Sequence, residues 1–230
     1  MKPFLCLLFL FCSSFANEGP LVGIMAQPYT EPGCDYTAYI PSSYVEWIES
    51  GSGRVIPIFP DMTYNELKDI LLQLNGVLFT GGAAPTDPRS SYEKAVINVL
   101  NIVREFHENN PEYSIPIWGT CDGFENIMTG IADTESVMGS FDATEIPLPI
   151  KWNDNVYTSQ MFNIDSFFAN YSSLVINIFG TQSSSYNDHS KGITPTTFNN
   201  NPAISSNFTL LGTSFDRNGK EFVTLIESKK

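Results

Sequence analysis

A chain of 230 residues has room for one α/β domain with a substantial core and too little for two comfortable ones. Hydrophobic residues make up 42% and charged residues 16%, which excludes a disordered chain. The net charge of −13 argues against nucleic acid and anionic membrane surfaces as partners.

The first segment reads as a leader. Lys2 supplies a positive start, Phe4–Cys12 (FLCLLFLFC) a short apolar run, and Ser14-Phe15-Ala16 the small residues of a cleavage site. The run falls short of the roughly 20 residues that span a bilayer. A signal peptide is therefore expected over 1–16, a mature domain over 17–230, and no membrane partner after cleavage. Cleavage leaves 11 basic residues against 25 acidic ones, a net charge near −14. It also removes Cys6 and Cys12, leaving Cys34 and Cys121. Two cysteines do not make a disulfide scaffold: they form one bridge, or at least one is a working thiol. Behind a leader, the sequons at Asn170 and Asn207 are expected surface glycosylation sites.

The first half of the mature chain alternates. Leu21–Ala26 predicts a buried strand, and Ser42–Glu49 a helix stopped by Gly51 and Gly53. Val55–Phe59 predicts a strand whose Pro57 favours an edge or a bulge. Thr63 and Glu66 form a capping box for a helix through Leu74. Gly76–Phe79 is the third strand, ending at Thr80-Gly81-Gly82. Ser90 and Glu93 offer a second capping box for a longer helix with Val96, Val99, Val103 and Phe106 on one face. Ile115–Trp118 predicts the fourth strand and Phe124–Ile131 the next helix. This spacing implies βαβ units: an α/β fold with a mostly parallel central sheet and helices on both faces.

The second half is less regular. Residues 181–201 are polar and read as a loop, while Leu210–Phe215 and Glu221–Ile226 flank Asp216-Arg217-Asn218-Gly219 as a β-hairpin. Trp118, Trp152 and Phe162 read as core aromatics. Neither a Walker loop, a Rossmann fingerprint nor a metal-ligand cluster is present in the sequence, so no cofactor is expected.

Ligands of an open parallel sheet sit at the carboxyl ends of its strands. Two loops stand out there. Gly119-Thr120-Cys121-Asp122-Gly123 follows nucleophile-elbow logic with Cys in place of Ser, and the helix behind it favours a thiolate. The plain alternative is a buried structural cysteine. Thr80-Gly81-Gly82-Ala83-Ala84 lets backbone amides approach a ligand, and with the Asp122 amide could form an oxyanion hole. A Cys34–Cys121 bridge would disable the nucleophile.

These segments carry a resemblance. Leu21-Val22-Gly23-Ile24, Tyr44-Val45-Glu46, Ser50–Pro57, Phe79-Thr80-Gly81-Gly82 and above all Pro116–Glu125 (PIWGTCDGFE) look like γ-glutamyl hydrolase. That family is the C26 peptidases of the class I glutamine-amidotransferase-like, flavodoxin-like group. The resemblance runs over roughly residues 20–230. It implies an omega peptidase, secreted or lysosomal/vacuolar, that cleaves folylpoly-γ-glutamates. It implies Cys121 as nucleophile, amides of Gly82 and Asp122 as oxyanion donors, a small-molecule poly-γ-glutamyl substrate, and leaves room for a homodimer. Leu is frequent in the family where Asp122 stands, and the extra carboxylate opposes thiolate formation.

The base is the difficulty. His107 sits in the closing turn of a helix, where it suits the last carbonyls. His189, in Tyr186–Gly192, matches by resemblance a histidine that binds or orients the glutamyl group, not the base; the alternatives are an exposed loop histidine or a hydrolase that uses His189 as its base. The family's base lies in a Gly-Val-Gln-aromatic-His-Pro-Glu segment after the strand matched by Phe222–Glu227. The sequence stops at Lys230, so the expectation is that the base, its carboxylate partner, a C-terminal strand and a closing helix are missing. A non-catalytic paralogue or fragment that binds γ-glutamyl ligands is the competing reading.

Overall fold

The structure, a computed structural model, describes residues 19–29, 35–162 and 169–229. The expected leader and Cys34 lie outside the described residues.

The first half supplies β1 (Leu21–Met25), β2 (Gln27–Pro28), β3 (Ala38–Tyr39), α1 (Ser42–Ser50), β4 (Arg54–Ile58), α2 (Tyr64–Leu71), β5 (Gly76–Phe79), α3 (Ser91–Asn109), β6 (Ile117–Gly119) and α4 (Asp122–Ala132). Four of these strands form one parallel sheet in the order β4-β1-β5-β6. That order reverses direction between β1 and β5, and a doubly wound sheet opens its binding crevice at such a point. Every residue of β5 is buried, so the sheet is covered on both faces. Pro57 lies in β4, at an edge of the sheet, where its missing N–H costs no ladder bond on the open side.

Local signals account for the helices. Thr63 accepts from the Glu66 amide while the Glu66 carboxylate accepts from Thr63, the reciprocal cap that the spacing predicts. Ser90 likewise caps α3 through the Glu93 amide. The Glu93 side chain does not complete a second box. It turns inward, fully buried, and accepts from the Thr129 hydroxyl of α4. Burial between α3 and α4 wins there over the local cap. One apolar cluster joins Met25, Phe79, Leu67, Val96 and Met128 to Ile193, Phe198 and Val223 of the second half.

The second half contains β7 (Gly139–Leu148), β8 (Lys151–Trp152), α5 (Ala169–Thr181), β9 (Ser185–Gly192), α6 (Pro195–Asn200), α7 (Pro202–Ser205), β10 (Phe208–Phe215) and β11 (Glu221–Ser228). The polar stretch expected as a loop is therefore mostly strand and helix. β9 is poor in β-branched residues, and its strand form comes from antiparallel pairing with β7, a non-local effect that overrides propensity. The expected hairpin is present as β10 and β11, with Gly219 at φ 74 in its turn. The register of β7 on β9 slips between Ala143 and Ile146, and Glu145 in that bulge has φ 50. Trp152 and Phe162 are half-buried and meet edge to face, 5.6 Å apart. Trp118, expected in the core, is 43% exposed on the edge strand β6.

Candidate active site

Cys121 stands between β6 and α4 as the N-cap of α4, with φ 53 and ψ −114. A non-glycine residue in that region is strained, which is the signature of a nucleophile elbow. The turn is held on both sides: the Thr120 amide donates to Phe79 O at 3.0 Å, and the amides of Phe124 and Glu125 donate to Cys121 O. Cys121 is a free thiol with exposed surface.

The Gly-Gly loop at the end of β5 closes over this elbow. A Cβ on Gly81 would sit 2.8 Å from the Tyr44 hydroxyl and 3.3 Å from the Cys121 Cβ, so a larger residue would have to push the tyrosine aside. The Gly81 amide donates to Tyr44 Oη at 2.9 Å, which brings α1 into the site. The Ala84 amide donates to Asp122 Oδ2 at 3.0 Å. The Gly82 amide bonds no acceptor among the described residues. The Asp122 amide faces the Cys121 sulfur. Of the two expected oxyanion donors, the Asp122 amide is thus at the sulfur, while Gly82 follows Gly81 in the loop and lies against Gln27.

Sulfur reactivity is a contest that the amide does not win. Packing desolvates the thiol and pushes its pKa up, the Asp122 amide pulls it down, and Glu125, Asp122 and Asp188 push it up again. The helix N-terminus favours the thiolate as the sequence predicts, but burial and three carboxylates outweigh it. The same burial, reinforced by the Asp122 charge, drives Glu125 up to about 7, against the counter-pull of Lys191. Burial raises Asp122 too, opposed by its bonds from Ala84 and Gln27 and by Lys191. A carboxyl that titrates near neutrality and whose charge acts on a thiol can carry a proton.

β9 roofs the site. The thiol donates to Asp188 O at 4.0 Å. His189, next in the strand, is engaged within β9 itself: Nδ1 donates to Lys191 O at 2.7 Å, and Nε2 lies 3.3 Å from the Asn187 side-chain oxygen. Its ring packs edge-on against Phe222 at 4.8 Å. Burial lowers its pKa and so favours the neutral ring, partly offset by the Lys191 bond and the Asp188 charge. The structure therefore brings Cys121, the Asp122 amide and Gly81 of the Gly-Gly loop together, with the Asp188 carbonyl at the sulfur and both His189 ring nitrogens bonded within β9. His107 donates to Tyr113 O at the end of α3, apart from these groups.

Six partners of the site are absent from the sequence-based expectations: Gln27, Tyr44, Tyr92 and Glu125 are spread over four segments, and Asp188 and Lys191 lie in the stretch expected as a loop. A buried glutamine just past a strand would have been the signal for Gln27. Of the sequons, Asn207 is exposed and follows α7, its side-chain amide donating to Ala203 O. Asn170 falls in the first turn of α5, and its side chain lies outside the described residues. Two cavities of about 350 and 240 Å³ share Asn153, Asn199 and Leu210, and neither is lined by Cys121. Among the described residues, no group of three His, Cys, Asp or Glu is placed to hold a metal, and no helix is long and apolar enough to cross a membrane.

The profile of the Peptidase C26 family matches residues 20–134. Gamma-glutamyl hydrolase B of Dictyostelium discoideum is 32% identical over 215 residues, covering 93% of this chain and 60% of that protein. Gamma-glutamyl hydrolase 1 of Arabidopsis thaliana is 30% identical over 223 residues, covering 93% and 60%. Gamma-glutamyl hydrolase of Mus musculus is 29% identical over 217 residues, covering 93% and 64%. The chain spans about three fifths of the length of these curated relatives.

Proposed function

Because the chain belongs to the Peptidase C26 family, we propose that it hydrolyses γ-glutamyl amide bonds of poly-γ-glutamyl folates through a thioester on Cys121. The observation that carries this reading is the strained Cys121 elbow with the Gly-Gly loop across it and the Asp122 amide on the sulfur. In the first step the thiol passes its proton to the Glu125 carboxylate and Sγ attacks the γ-carbonyl carbon. The amides of Gly82 and Asp122 receive the oxyanion. As the tetrahedral intermediate collapses, the C–N bond breaks and the leaving amine takes the proton. Water then hydrolyses the thioester, releasing the γ-carboxylate and the free thiol. His189, which follows the residue whose carbonyl meets the thiol, orients the glutamyl group. The domain of residues 17–230 follows a secretory route after loss of 1–16, toward the extracellular space or a lysosome or vacuole, with Asn170 and Asn207 glycosylated.

The test is turnover of pteroyl-poly-γ-glutamate, with trapping of the acyl-enzyme by mass spectrometry at low pH. A mass increase on the Cys121 peptide, absent in Cys121→Ala, is expected. Saturable ligand binding with neither turnover nor adduct would replace hydrolysis with the second reading, a γ-glutamyl-binding protein. The raised thiol pKa and the distance of both imidazole nitrogens from hydrogen-bonding the sulfur favour that second reading.

A further inference from the structure

We propose that the Asp122 side chain is a positioning residue that fixes the Gly-Gly loop against the nucleophile elbow, a role that rests on the hydrolase reading above. Asp122 reaches the site from both ends. Its backbone amide faces the sulfur, and its carboxylate oxygen Oδ2 accepts from the Ala84 amide at 3.0 Å and from Gln27 Nε2 at 3.3 Å. The same Gln27 nitrogen lies 3.3 Å from Thr80 O and 3.4 Å from both Thr80 Oγ1 and Tyr92 Oη. One buried network therefore ties β2, the end of β5 and the first turns of α3 and α4. Gln27, Thr80, Tyr92 and Asp122 are all 5% exposed or less.

The pattern of amides along the loop shows what the network does. Gly81 N–H is taken by Tyr44, and Ala84 N–H is taken by Asp122. Gly82 N–H, between them, has no acceptor among the described residues. Tying the neighbours while leaving the middle donor unpaired preorganises that donor for a developing oxyanion, and a donor that needs no rearrangement is worth most. The elbow is tied to the loop, because Asp122 begins the helix whose N-cap position Cys121 holds.

The same carboxylate has a cost in reactivity. Cys121 faces Asp122 and Glu125 from α4, Asp188 from β9 and the Tyr44 hydroxyl from α1, while the ammonium of Lys191 on β9 acts on Asp122 and Glu125. A negative charge next to the thiol opposes its ionisation. Asp122 thus trades thiolate population for loop geometry, and the two effects separate in variants. An asparagine keeps an acceptor for Ala84 and drops the charge, whereas an alanine drops both.

The experiment compares wild type, Asp122→Asn and Asp122→Ala. Three readouts are taken: amide hydrogen exchange of the 80–84 segment, the pH midpoint of iodoacetamide alkylation on the Cys121 peptide, and kcat and KM on a γ-glutamyl substrate. In Asp122→Ala, exchange at 80–84 is expected to rise at least tenfold, and kcat to fall by a larger factor than KM rises. Asp122→Asn is expected to return exchange to the wild-type rate and to move the alkylation midpoint to lower pH. Unchanged exchange in a folded Asp122→Ala protein, or no recovery in Asp122→Asn, overturns the proposal. Should Asp122→Ala not fold, the Ala84 amide proton of the wild type decides by NMR: a resonance that follows the Asp122 titration upholds the tie, and a pH-independent one refutes it. Exchange and alkylation do not depend on turnover. An inert wild type with a loosened Asp122→Ala loop would sink the hydrolase reading alone; an active wild type with an unmoved loop would sink this one alone.

Discussion

Gly123 packs against Phe79 so closely that a Cβ on it would collide with the Phe79 carbonyl. The first turn of α4 is thereby pressed onto the last residue of β5, and the elbow and the Gly-Gly loop share one boundary. The obstacle is backbone, which cannot swing aside as a side chain can. Gly123→Ala is expected to destabilise the fold by about 2–3 kcal/mol, the cost of overpacking a close contact. Urea denaturation measures this, and a loss smaller than about 1 kcal/mol would mean that the helix end yields freely.

Cys121 holds a left-handed backbone that suits glycine better than any other residue. Cys121→Gly and Cys121→Ala should both abolish acyl-enzyme formation, yet differ in stability. The glycine variant is expected to be the more stable of the two by about 1 kcal/mol, since relief of strain exceeds the entropy that glycine adds to the unfolded chain. Equal melting points would show that the elbow stores no strain.

Glu93 sets a pH dependence. Buried beneath the site, with one oxygen accepting from Thr129 and the other unpartnered, its carboxyl is driven by desolvation to about 8 from an ordinary 4.5. The folded state therefore holds the proton more tightly than the unfolded state. The stability this provides is complete below about 4.5 and is lost as pH rises through about 8. Glu93→Gln mimics the protonated acid. It should match wild type at pH 5 and exceed it at pH 8.5 by something on the order of 2–4 kcal/mol. Glu125 acts in the same direction and His189 in the opposite one, so the difference between the two proteins across pH isolates Glu93. Parallel curves would refute the assignment.

Tyr44 supplies the acceptor for Gly81. Tyr44→Phe keeps the ring and removes that acceptor, freeing the loop at its leading end. The acylation rate is expected to fall roughly tenfold with little change in melting temperature. A rate within twofold of wild type would show that Asp122 alone suffices to hold the loop.

What the sequence revealed depends on how local each cause is. The Thr63–Glu66 cap, the Pro57 edge strand and the Asn-Gly turn arise within a few residues, and each is where the pattern puts it. The elbow was equally legible, because its small residues answer contacts made inside one strand-turn-helix unit. The role of Glu93 was not legible: its spacing from Ser90 signals a cap, and only the packing of α4 over α3 turns it inward. Nor was β9, whose strand form depends on β7 some 40 residues earlier. Gln27, Tyr44 and Lys191 meet Asp122 or the loop beside it only through the tertiary fold, so their part in the site left no mark in chain order.

Asp216 extends the reach of the site well beyond its lining. Its carboxylate accepts from the amides of Asp142, Asn218 and Lys220, and its neighbour Arg217 grips Asp142 and the Thr144 carbonyl. This clamps the β10–β11 turn to β7, and β7 is the strand on which β9 is hung. The carbonyl that accepts the Cys121 S–H hydrogen bond is thus suspended, through β7, from a rivet in the β10–β11 turn. A lesion at Asp216 would slacken that suspension and be felt at the sulfur, although no atom of Asp216 touches it.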